Sequence, residues 1–370
     1  MKDKLCYQVA LSLLPGIGSI LAKQLVSYVG SVEGVFSESK AKLAKIPGIG
    51  PKTADLITSS DLIDKAESEI KRCEKQNVSI HFYTDDSYPY KLKQAVDCPL
   101  ILYSKGNQGA NFRRGLAIVG TRNATEYGKS ITEQLVEGLK PYSCAVVSGL
   151  AYGIDIKAHK TAVERGIATF AILGSGVDVI YPAVHKDTAI NLQQNGALLS
   201  EYPLGTKPEA YHFPARNRII AGMSDAVVVI EAAAKGGALI TADIANSYNR
   251  DVFALPGNLD HQYSVGCNRL IQQQKAMIFT SVEDLVKELN WDVMSETELQ
   301  EQQVALDSFS REEKLIVGLL TEERKGLQID QLAWKSQLTV NQLASVLLSL
   351  EFNGVIKSLP GKKYQLRSRF

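Results

Sequence analysis

The stretch Leu116-Ala117-Ile118-Val119-Gly120-Thr121-Arg122-Asn123 decides how the rest of the chain is read: four apolar residues without a polar break, then a turn led by glycine. A strand with water on one face alternates apolar and polar residues. A run without alternation is buried on both faces, which points to a parallel sheet between helical layers. The pattern recurs at Ala145-Val146-Val147, Ala168-Thr169-Phe170-Ala171-Ile172-Leu173, Ala197-Leu198-Leu199, Ala226-Val227-Val228-Val229-Ile230, Val252-Phe253-Ala254-Leu255 and Ala276-Met277-Ile278-Phe279, with helical patterns between. Residues 87–290 are therefore expected to form an α/β domain around a doubly wound parallel, Rossmann-like sheet.

In such a sheet ligands sit beyond the carboxyl ends of the strands. Those ends carry small residues: Gly120-Thr121-Arg122, Ser148-Gly149-Leu150-Ala151-Tyr152-Gly153-Ile154-Asp155, Gly174-Ser175-Gly176, Ser200-Glu201-Tyr202-Pro203, Gly236-Gly237-Ala238 and Pro256-Gly257. Loops of this kind at one edge let a ligand approach the backbone. Two nucleotide motifs fail. Gly174-x-Gly176 has Val179 where a dinucleotide fingerprint needs its third glycine, and Gly128-Lys129-Ser130 has Asn123 where a P-loop needs its first. The loops instead carry Arg122, Arg216 and Arg218 with Tyr127, Tyr152, Tyr202, Tyr211 and Phe213. Guanidinium forks and aromatic rings are the parts of a single-strand binding surface. The other reading pairs Arg122 and Arg218 with Glu201, Asp225 or Glu231 and puts part of the aromatics in the core. His159 reads as a helix-packing residue, Asp155 as a cap or turn residue. Asp178 and Glu201 are acidic groups near the expected cleft.

Residues 1–86 contain a repeat: Leu14-Pro15-Gly16-Ile17-Gly18-Ser19 returns as Ile46-Pro47-Gly48-Ile49-Gly50-Pro51, each between apolar helical stretches. This is the pattern of a helix-hairpin-helix, SAM-like all-helical domain, in which glycines allow the tight turn and leave helix N–H groups free. The segment holds 11 basic and 11 acidic residues, so contact with DNA and packing against a neighbour both stand as readings. The apolar stretch 5–14 is interrupted by Gln8 and leads straight into the Pro15-Gly16 turn, so we read a helix rather than a secretion signal. Residues 291–307 read as an acidic linker. Residues 308–370 give three amphipathic helices (311–320, 329–335, 340–352) and a hairpin about Pro360-Gly361, the order of a winged helix. Its third helix has Glu351 as the only charge between residues 338 and 354, which favours a protein contact over major-groove reading. The basic tail of Lys357, Lys362, Lys363, Arg367 and Arg369 could touch phosphate.

The 370 residues carry a formal net charge of +1 with 45% hydrophobic residues, close to average globular composition, so any nucleic-acid partner must be argued locally. The five cysteines are scattered and lack metal-ligand spacing, which suits reduced thiols in a cytoplasm, and no apolar run is long enough to span a membrane. No metal or cofactor is expected.

In order along the chain, Ile118-Val119-Gly120-Thr121-Arg122, Ser148-Gly149-Leu150-Ala151-Tyr152-Gly153-Ile154-Asp155, Leu173-Gly174-Ser175-Gly176-Val177-Asp178-Val179-Ile180-Tyr181-Pro182, Leu199-Ser200-Glu201-Tyr202-Pro203, Phe213-Pro214-Ala215-Arg216-Asn217-Arg218, Gly236-Gly237-Ala238-Leu239-Ile240-Thr241 and Val252-Phe253-Ala254-Leu255-Pro256-Gly257 resemble the DNA-processing protein A family, DprA or Smf. The resemblance implies a noncatalytic protein that binds single-stranded DNA without sequence preference. It also implies loading of the RecA recombinase, displacement or bypass of single-strand binding protein, and a homodimer through the α/β domain. It puts Gly120, Thr121, Arg122, Phe213, Arg216, Asn217 and Arg218 at the DNA, with Ser148, Gly149, Gly174, Ser175 and Gly237 as backbone contributors, and dimer and RecA contacts within residues 255–277. A second resemblance, of Glu231 and the Gly236-Gly237 stretch to phosphoribohydrolase loops, implies a nucleotide-binding enzyme instead. It lacks that loop's proline and third glycine.

Overall fold

The structure, a computed structural model, describes residues 3–58, 61–292, 310–322, 327–336, 338–352, 355–359 and 363–366. The first elements are the helices α1 Lys4–Ser12, α2 Ser19–Val29, α3 Val32–Ser37, α4 Lys40–Leu43, α5 Pro51–Ile57 and α6 Asp61–Lys75. Both repeat turns join helices as expected. In each, only the first glycine needs a left-handed backbone (Gly16 φ 75°, Gly48 φ 84°), while Gly18 and Gly50 are extended N-caps of α2 and α5.

The strands are β1 Ser79–Phe82, β2 Ile101–Gly106, β3 Arg114–Val119, β4 Cys144–Ser148, β5 Thr169–Ile172, β6 Gly196–Ser200, β7 Ala226–Val229, β8 Asp251–Ala254 and β9 Met277–Ile278. Between them lie α7 Tyr90–Lys93, α8 Glu126–Gly138, α9 Ile154–Glu164, α10 Lys186–Leu192, α11 His212–Met223, α12 Gly237–Ser247, α13 Val265–Gln272 and α14 Val282–Glu288. The sheet order is β1-β2-β6-β5-β4-β3-β7-β8-β9, parallel from β6 through β9. Every apolar run holds a strand. Side chains of the central strands alternate between two layers. Leu116, Val146 and Val228 pack with α8 and α9, while Ala117, Val147 and Val227 pack with α11 and α12. Both faces are covered, which is why no polar alternation appears in the sequence.

The sheet departs from the expectation at one edge, where β1 and β2 are antiparallel and make it mixed. Their sequences, Ser79-Ile80-His81-Phe82 and Ile101-Leu102-Tyr103-Ser104-Lys105-Gly106, contain polar residues and so lack the continuous apolar signature. They lie under α1 and α6: Phe82, Ile101 and Tyr103 share one core with Val9, Leu11, Ala66 and Cys73. The first hairpin turn also docks on this region, as Ser19 Oγ donates to Asp97 O at 3.1 Å and Lys23 Nζ to Val96 O at 3.1 Å. Met1–Asp292 is consequently a single compact unit, and the expected boundary at 86/87 falls inside it.

The second unit, Val293–Phe370, has helices α15 Arg311–Glu322, α16 Ile329–Ser336 and α17 Val340–Phe352 and a sheet β10-β12-β11 of Leu327–Gln328, Lys363–Leu366 and Ile356–Leu359. Ile316, Leu320, Leu332, Leu343, Leu347 and Leu350 form its core. This is the winged helix expected from the sequence. Of the linker 291–307, residues 293–307 lie outside the described residues, as do Pro360, Gly361, Lys362, Arg367 and Arg369 of the hairpin and tail.

At the join of β5 and β6 a Cβ on Gly196 would stand 1.8 Å from Thr169 O, a backbone atom that cannot yield. Gly196→Ala should lose roughly 3 kcal/mol or more by urea unfolding, whereas Gly109→Ala, in open space, should change stability by less than about 0.5 kcal/mol. Equal midpoints for the two variants would contradict this packing.

Candidate nucleic-acid interface

Connections leave β3 and β7 toward opposite sides of the sheet although the two strands are neighbours, so the switch point, where crevices open in such folds, lies between Gly120 and Glu231. The loops there are stitched together. Thr121 N donates to Glu231 O at 2.7 Å, and Ile154 N donates to Thr121 O at 3.3 Å. The Glu231 carboxylate accepts from Thr125 N at 2.9 Å and Thr125 Oγ1 at 2.5 Å, fixing the start of α8. A Cβ on Gly128 would meet that carboxylate at 2.4 Å. Gly128 is therefore small to admit Glu231, which gives the failed P-loop motif its local reason.

On top of this stitching, Arg122 is exposed, with its guanidinium 5.8 Å from the centre of the Phe213 ring. Phe213 is presented by α11 and covers Gly174, where a Cβ would meet it at 3.1 Å. Tyr181 packs its ring 5.7 Å from Phe213. Gly236 and Gly237, both exposed, open α12. Asn217 of α11 reaches across to donate Nδ2 to Gly237 O at 3.2 Å.

A second layer lies beneath. Arg216 is 5% exposed and donates to Gly149 O at 2.7 Å and to Ile172 O, the carbonyls at the ends of β4 and β5. Burial pushes its pKa down to about 10 against the opposing pull of Asp155. Asp155 accepts from Gly149 N at 3.1 Å and Ala151 N at 3.4 Å, the turn role expected of it, and burial raises its pKa. Ser148 Oγ donates to Ile118 O and Ser175 Oγ to Val179 O, each at 2.6 Å. Arg218 pairs with Glu201, whose pKa burial raises and Arg218 lowers. Asp178 accepts instead from Gly205 N at 2.8 Å.

Of the residues picked out from the sequence, Gly120, Thr121, Arg122, Gly174, Phe213 and Gly237 thus meet in the upper layer. Ser148, Gly149, Ser175, Arg216, Asn217 and Arg218 brace it from below. Sequence reasoning had Tyr181 only inside a family motif, without a site role, and did not find the Glu231–Thr125 clamp. The aromatic between Ile180 and Pro182 was a usable signal for the first, while the second depends on strands β3 and β7 being neighbours and left none.

A family model for DNA recombination-mediator protein A matches residues 79–290, one for a SAM-like helix-hairpin-helix tandem matches 9–60, and one for the DprA winged helix domain matches 300–362. Protein Smf of Synechocystis is 32% identical, covering 98% of this chain and 98% of its own length. DNA processing protein DprA of Streptococcus pneumoniae is 41% identical over 56% of this chain and 73% of its own. The X-ray structure of S. pneumoniae DprA covers 79% of this chain and 99% of its own, with a TM-score of 0.67 and 32% identity. A structure of Helicobacter pylori DNA processing protein A, determined for its single-stranded DNA binding mode, covers 58% of this chain and 97% of its own, with a TM-score of 0.53 and 29% identity.

In the lower layer His159 is fully buried, its Nδ1 2.8 Å from Thr169 Oγ1, a packing position. Burial pushes its pKa from 6.5 down to about 3. The unfolded chain therefore takes up this proton first, and the stability held above pH 6.5 falls as pH drops toward 3. Between pH 6.5 and 5 the loss from this group should reach about 2 kcal/mol, and His159→Gln should remove that part of the slope in urea titrations. A variant with the wild-type slope would refute the assignment.

Proposed function

This chain belongs to the DNA recombination-mediator protein A family, DprA/Smf, and we propose that it binds single-stranded DNA, without regard to sequence, along the carboxyl edge of its sheet. The observation that carries the reading is the exposed Arg122 guanidinium set against Phe213 above loops with little side-chain bulk. A guanidinium takes a phosphate oxygen, and a ring takes the face of any base, which gives affinity without a sequence preference. Thr121 and the exposed Gly237 let the backbone of the strand come close, while Gly120 and Gly174 make room for Ile154 and Phe213 beneath it. Arg216, Asn217 and Arg218 act through the positions of Phe213 and the loops. The H. pylori relative, described by its single-stranded DNA binding mode, supports the choice of single strands.

The protein in this reading is a noncatalytic mediator that works in the cytoplasm as a homodimer through its Rossmann-like unit. It loads RecA onto incoming or exposed single strands in transformation or homologous recombination, displacing or bypassing single-strand binding protein. Family membership supports this step.

Fluorescence anisotropy of labelled oligo(dT) at two salt concentrations tests the binding surface. Arg122→Ala should weaken binding on the order of tenfold and reduce the slope of log K against log salt by about 0.7, the loss of one single-strand phosphate contact, with an unchanged unfolding midpoint. Arg218→Ala should instead lower stability by about 3 kcal/mol, because Glu201 is left buried without its partner. Duplex and AMP should compete poorly. Wild-type affinity in Arg122→Ala would remove the surface assignment, and competition by AMP would favour a mononucleotide enzyme.

A further inference from the structure

We propose that Tyr181 and Tyr211 are base-stacking platforms that continue the path of the strand beyond Arg122 and Phe213; the inference rests on the single-strand reading above. The loops after β3, β5 and β6 hold Arg122, Tyr181 and Tyr211 respectively. Phe213 links the three: it lies against Arg122 and Tyr181 and follows Tyr211 by two residues on the same segment.

Both rings are presented to solvent, Tyr181 at 47% and Tyr211 at 66% exposure. Both are also braced. Tyr181 lies 5.7 Å from Phe213 at an interplanar angle of 37°. Tyr211 stands edge-on to His212 at 4.4 Å; His212 stacks on Tyr202 at 4.0 Å and places its Nδ1 3.0 Å from Gly174 O. An aromatic that serves a core is covered, and one without a role is free to swing. These two are uncovered and each lies in contact with a neighbouring ring, which suits a stacking surface, since every base offers a face to such a ring.

The test uses the full chain and a length series of oligo(dT) with Tyr181→Ala, Tyr211→Ala, the matching Phe variants, and Tyr28→Ala on α2 as an exposed control. Each Ala variant should lose affinity on the order of tenfold for the longer oligonucleotides, with an unchanged salt slope because no phosphate contact is lost. Phe variants and Tyr28→Ala should bind as wild type. Wild-type affinity in both Ala variants, with Arg122→Ala still weakened, overturns the track and leaves the DNA surface standing. Wild-type affinity in all three removes the surface reading as well. A reduced salt slope in the Ala variants, or Phe variants as weak as Ala, also overturns stacking.

Discussion

The candidate surface depends on one buried cation. Parallel strands that stop at the same edge leave carbonyls pointing out of the sheet, and at the ends of β4 and β5 two of these, Gly149 O and Ile172 O, are taken by the Arg216 guanidinium. Burying a guanidinium carries a desolvation penalty of several kcal/mol. It is offset here by the carbonyl acceptors and by the negative Asp155, which in turn holds Gly149 N and Ala151 N. Because Arg216 and Phe213 are on the same turn of α11, whatever fixes the cation fixes the ring above it. The geometry of the exposed layer is thus set by the hidden one.

This division explains what could be read from the chain and what could not. The parallel strands were legible because burial on both faces writes itself as unbroken apolar runs. The strands β1 and β2 were not, since their polar residues follow from antiparallel pairing at an edge covered by α1 and α6. Arg122, Arg216 and Arg218 looked alike as residue types, yet one is exposed, one lies under the loops and one is paired with Glu201. The clue lay in helical spacing: Arg216, Ile220 and Met223 stand at i, i+4 and i+7, all buried, so Arg216 occupies the apolar stripe of α11. A charged residue on such a stripe is a structural cation by position. Arg122, in a loop with no period, carried no such clue.

The N-terminal hairpins show the same logic at the level of a motif. Their glycine turns are those of a tandem that offers helix N–H groups to an anion, and the helix after the first turn is tied to Val96 and Asp97 through Ser19 and Lys23. The second packs onto the first, with Gly48 leaving room for Leu21. α1 and α6, at either end of this segment, roof the antiparallel edge.

That roof bears on the order in which the chain can assemble during synthesis. β1 and β2 emerge from the ribosome early, but the partner of Tyr103 is Ser200, so β2 waits for almost a hundred residues with one edge unpaired. An open strand edge in a nascent chain is an invitation to the wrong neighbour. The helices α1 to α6 are already made by then and share a core with Phe82, Ile101 and Tyr103. They can cover one face of the waiting pair until β6 arrives.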